Sequence, residues 1–114
     1  MSTSAIDGIF VCRNQIGYVS YEFRSGTMAV IDVDEVIPAE TFEYISESRT
    51  VIARVIATTR RNVWNYNFTL SEGLDSIESG SIKQSAIDDP EGRNVDLELF
   101  YGEKNGKLIY TKQA

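Results

Sequence analysis

Histidine is absent from these 114 residues, and cysteine occurs once, at Cys12. Those two facts exclude Ser-His-Asp and Cys-His nucleophilic machinery, His-ligated zinc or iron, and thiolate clusters. Carboxylates, tyrosines and arginines remain, and they do acid–base work only where burial tunes their pKa values. Acids crowd at Asp32, Asp34 and Glu35 and again at Asp88, Asp89 and Glu91. Neither cluster has the alternating oxygen ligands, turn glycine and closing bidentate Glu of a calcium loop, so both read as solvated loop acid. No metal and no cofactor is expected.

Arg54 is the sharper case, because it stands between Ile52 and Ile56 in an apolar run. Either it faces solvent, with Val51, Ala53, Val55 and Ala57 turned inward, or it points into a cavity and binds an anion or carboxylate. The small residues on the alternate face favour the outward reading, with a cross-strand acid such as Glu43 as partner, and also leave room for a cavity. Tyr44, Trp64 and Tyr66, with Phe42 and Phe68, read first as core. Their functional alternative is an aromatic pocket wall, and the candidate ligand-binding set is Tyr44, Arg54, Trp64 and Tyr66. Arg60 and Arg61 read as a solvated corner. Asn67-Phe68-Thr69 spells a glycosylation sequon, but it falls mid-strand and reads as chance. Glycines occur singly, so no loop cradles phosphate.

These residues must be positioned by the stretch from Thr50 to Leu70. Val51 to Thr58 is apolar or small except for Arg54 and rich in β-branched residues, which suits a buried strand. Asn62 to Leu70 alternates, with Trp64, Tyr66, Phe68 and Leu70 on one face and polar residues on most of the other. Each such ring buries roughly 150 to 250 Å². This hairpin is the expected seed of the core.

Elsewhere the same period predicts strands over 6–12, 18–23, 27–33, 41–45, 94–101 and 108–112, with weaker ones over 74–78 and 81–87. Ser25-Gly26, Ser79-Gly80 and Asn105-Gly106 mark turns, and 34–40, acidic and carrying Pro38, reads as loop, as does 88–92. Residues 1–5 read as a frayed end of one domain spanning 1–114. Turn signals at roughly 8 to 12 residue intervals, with no trustworthy helical window, point to an all-β fold. The expected architecture is an antiparallel up-and-down meander of about eight to ten short strands, closed into a barrel.

Gly8-Ile9-Phe10 at the opening strand, and the later Asn65 to Leu70 run followed by Gly73, Leu74 and Ile77, resemble the lipocalin-like (calycin) superfamily of small barrels, the short MoaF-like type being nearest in length. Phe10 stands where that family's first strand carries Trp, so no family site residue is carried over.

Net charge is −6 and the pI about 4.6. A chain of that charge is a poor match for nucleic acid or an anionic membrane surface. With no leader, no membrane span and one cysteine, it is expected in the cytoplasm. The leading functional expectation is a non-catalytic barrel holding a small apolar or anionic molecule. The alternative is an acidic inhibitor or immunity-type protein that binds a basic partner through acids around Asp32 to Glu43 or Asp88 to Glu98. An enzyme using buried Tyr and carboxylate groups, as in some calycin-like barrels, ranks third. Whether the chain is a homo-oligomer stays open.

Overall fold

The computed structural model describes residues 3–14, 16–88, 95–98, 101–102 and 106–113, and the side chains within 5–14, 16–88 and 108–113. The strands are β1 (Gly8–Cys12), β2 (Ser20–Arg24), β3 (Thr27–Asp32), β4 (Glu35–Pro38), β5 (Thr41–Ile45), β6 (Thr50–Ala57), β7 (Asn62–Leu70), β8 (Ser76–Ala86), β9 (Val95–Glu98), β10 (Tyr101–Gly102), β11 (Gly106–Lys107) and β12 (Tyr110–Lys112). Among the described residues no helix is long and apolar enough to cross a membrane.

The β6–β7 pair behaves as its period requires. Its ladder places Val51, Ala53 and Val55 opposite Phe68, Tyr66 and Trp64, so small inward residues face large ones and the layer interdigitates. From this hairpin an antiparallel sheet extends in the order β4-β3-β2-β1-β12-β8-β7-β6-β5, with β9 also on β8. The expected meander is therefore present, and the last strand returns to pair with the first. The sheet curls into an open half-barrel rather than the closed barrel expected, because its two terminal strands, β4 and β5, carry no ladder between them.

What joins them is the chain. The Ala39 N–H donates to Met28 O at 2.8 Å, completing the β3–β4 side, and the next amide, Glu40 N–H, donates to Arg54 O at 2.7 Å, beginning the β5–β6 side. One extended segment thus changes partner at Ala39–Glu40, as strands do at barrel corners. Below the switch, Phe42 of β5 meets Phe23 of β2 with ring centroids 5.6 Å apart. Above it, Thr59 Oγ1 donates to Glu35 Oε2 at 3.2 Å, and Arg60 pairs with Asp32. Side chains close the gap that the ladder leaves open.

Two local expectations change. Residues 34–40 form a turn and β4 rather than a loop. Bonded and non-bonded pairs alternate in an antiparallel ladder, and the Ala39–Met28 bond fixes Ile37 and Ala39 as facing β3. Pro38 therefore turns its donorless nitrogen to the open edge, where proline is tolerated. Likewise, 74–78 and 81–87 are not two strands divided by a Ser79-Gly80 turn. Ser76–Ala86 is continuous, with a register shift at Thr69/Leu70, and Gly80 lies within it directly opposite Phe68. The 88–92 loop falls mostly outside the described residues, as does the centre of the Asn105-Gly106 turn.

The core fills this half-barrel. Tyr21 is the hub, with centroid distances of 5.2 Å to Tyr110, 5.4 Å to Tyr66 and 5.7 Å to Phe68. Such pairs are each worth about 0.5–1.5 kcal/mol beyond the area they bury. One end is plugged by Ile6, fully buried at the end of a short 3₁₀ turn (Thr3–Ile6). Beyond that turn the Asp7 carboxylate accepts the Ser25 N–H at 3.2 Å, tying the start of β1 to the β2–β3 turn.

Candidate functional site: the open mouth of the barrel

The other end is built from the connections after β1, β3 and β6. On β3 the inward register runs Met28, Val30, Asp32, so the alternation that buries two apolar residues also carries a carboxylate inward. Asp32 is 9% exposed and pairs with Arg60. Arg60 comes from a 3₁₀ turn (Thr58–Arg60) that follows β6 directly and has no buried residue. The turn ends at Arg61, in the left-handed region at φ 56°, whose N–H bonds back to Thr58 O at 3.1 Å.

Arg60 also lies across Trp64, its guanidinium carbon 5.7 Å from the ring centroid. The Trp64 indole N–H donates to Gln84 Oε1 at 2.9 Å, directly across the β7–β8 ladder. Deeper sit Tyr66, Tyr21 and Tyr110. Burial pushes all three phenols well above their usual pKa of 10.0. For Tyr66 the Tyr21 hydroxyl and Arg60 pull the other way, and for Tyr110 the Cys12 thiol adds to the upward push. The Tyr110 hydroxyl donates to Val19 O at 2.8 Å. The Tyr21 hydroxyl, fully buried, makes no hydrogen bond of good geometry. The mouth therefore offers an indole face, an amide, a buried carboxylate, a cation and neutral phenols.

The four residues singled out in the sequence do not converge. Trp64 and Tyr66 line the mouth and the layer beneath it. Tyr44, opposite Val51, is partly buried against the core nearer the plugged end. Arg54 faces outward, with Val51, Ala53 and Val55 inside, and pairs with Glu40 at 3.0 Å rather than Glu43. Arg60, which reads as a solvated corner in the sequence, and Asp32, which reads as loop acid, belong to this end, along with Gln84. Only Asp32 left a signal, since Met28, Val30 and Asp32 keep one period-2 register. Grooves elsewhere among the described residues run along Ile52, Asn65, Tyr66, Asn67, Ser81 and Lys83 of β6–β8, and between β8 and β12 beside Ile77, Leu108 and Tyr110. No described group of three or more His, Cys, Asp or Glu is placed to hold a metal ion.

Fold and site together define an antiparallel half-barrel with one plugged end and one aromatic, polar mouth. No protein-family model, curated protein or solved structure matches the chain.

Proposed function

We propose that the chain is a non-catalytic binding protein that takes a small ligand at the mouth of its half-barrel, against Trp64 and Tyr66. The observation that carries this reading is the one-sided gathering of inward polar groups. Asp32, Gln84 and the Arg60–Trp64 stack share the end opposite the Ile6 plug. Small-molecule sites combine an aromatic wall with a few placed polar groups, and this end carries both. The phenols, held neutral by burial, add hydrogen-bonding groups beneath this end rather than charge.

The reading is tested by native mass spectrometry of protein purified gently from its own cells. A one-to-one adduct of small mass, absent after denaturation, is expected. A bare chain at every purification stage contradicts the reading.

A basic protein partner is the second reading, favoured by the charge on the sheet's open side. Residues 25–48, which include β3, β4 and β5, hold Asp32, Asp34, Glu35, Glu40, Glu43 and Glu47 and no Lys or Arg. Among the described residues, Arg54 and Arg60 reach this side, and they pair with Glu40 and Asp32. Such a surface steers a basic partner into fast, salt-sensitive association. A stoichiometric protein complex whose on-rate falls steeply between low and physiological salt supports this reading, and a small-mass adduct without a protein partner supports the first.

A further inference from the structure

We propose that the mouth is a receptor for an organic cation of the guanidinium type, and that Arg60 occupies it as an internal stand-in. The inference rests on the reading of the mouth as a ligand site and names the ligand's chemistry.

A guanidinium already sits there, and its surroundings are what such a group requires. Asp32 supplies a buried carboxylate, and the Trp64 face supplies the cation–π surface. Gln84, by accepting the indole N–H at 2.9 Å, fixes the ring's orientation. The carboxylate stays inward whether or not Arg60 is in place, because β3's register puts it there.

Arg60 is weakly committed by comparison. Its side chain is 46% exposed, on a turn with no buried residue that is held to β4 by the Thr59–Glu35 bond. An exposed side chain on such a turn can leave without unpacking the core, and what its departure costs is the ion pair and the ring contact. Asp32 cannot follow it, and a buried carboxylate without a partner is costly. Departure of Arg60 thus leaves a site that demands a cation, and an incoming guanidinium restores both the ion pair and the ring contact. An anionic ligand would do the reverse, drawing Arg60 away and leaving Asp32 unpaired.

Trp64 is the only tryptophan, so its emission reports the site directly. Butylguanidinium and pentanoate are titrated into the wild-type chain, Arg60→Ala, and Arg60→Ala combined with Asp32→Asn, following Trp64 emission and thermal unfolding together. Vacating the site in Arg60→Ala should tighten butylguanidinium binding at least tenfold over wild type and make its melting temperature rise with the ligand. Asp32→Asn should remove that gain, and pentanoate should not bind. If Arg60→Ala does not unfold cooperatively, Arg60→Gln takes its place.

Equal binding of butylguanidinium by wild type and variant, or binding that survives Asp32→Asn, overturns the inference. Saturable pentanoate binding at Trp64 also overturns it while leaving the mouth a ligand site. A bare native mass, by contrast, strikes at the broader reading. An arginine-containing peptide run in parallel separates the sources: tighter binding than butylguanidinium assigns the cation to a protein side chain, and equal or weaker binding assigns it to a free small molecule, either of which supports the chemistry.

Discussion

The three buried phenols set the chain's behaviour in alkali. Below pH 10 folded and unfolded states both carry them neutral, so they add no pH dependence. Above pH 10 the unfolded chain gives up protons that Tyr21, Tyr66 and Tyr110 keep when folded, so stability must fall as pH rises. Each phenol contributes a slope of about 1.4 kcal/mol per pH unit in that window. Phenolate absorbance of these three should therefore appear together with loss of near-UV circular dichroism, and smooth ionisation in a folded chain would contradict the burial. The hydroxyls differ among themselves. Tyr110→Phe orphans the Val19 carbonyl and should cost about 1–2 kcal/mol in urea unfolding, whereas Tyr21→Phe removes a buried hydroxyl without a good bond and should be neutral or stabilising by up to about 1 kcal/mol. At this scale the sequence is readable where side chains alternate. Trp64 and Tyr66 announce themselves, and Arg54's outward face follows from its small neighbours. Arg60 does not, because its role depends on a carboxylate 28 positions earlier that only the folded sheet brings near.

Between elements, turns carry the strain. Val33, 86% exposed at the β3–β4 turn, adopts φ 57°, a region that β-branched residues resist. Val33→Gly relieves it with no packing to lose and should raise stability by about 1 kcal/mol, measured as a higher melting temperature. An unchanged or lower value would mean that the valine makes a contact of its own. The same turn shows why β4 was hidden. Acids and a proline are loop signals in isolation, and they become compatible with a strand only when that strand is a sheet edge, with Pro38 turned away from β3. Gly80 misleads in the same manner, reading as a turn until Phe68 is known to lie across from it.

For the whole molecule, the architecture depends on one extended segment that changes partner at Ala39–Glu40, with side chains completing the wall on either side of the switch. Phe42→Ala removes the ring that meets Phe23 and should cost about 2 kcal/mol, with faster amide exchange in β5 than in β7. Equal exchange in both strands would mean that the gap is held by something other than this contact. The all-β meander was legible, because turn signals and period-2 runs suffice to order neighbouring strands. How its two ends meet was not, since partner switching leaves no mark on local pattern. Function turns on whether the mouth, rather than the acidic edge or an outer groove, receives the ligand. The most direct measurement is a ¹⁵N correlation spectrum of the chain before and after adding the small-molecule fraction of its own cell extract. Shifts concentrated at Asp32, Arg60, Gln84 and the single indole N–H of Trp64 are expected. Shifts confined to β4 and β5, to the outer face of β7 and β8, or absent altogether would contradict the mouth as the binding site.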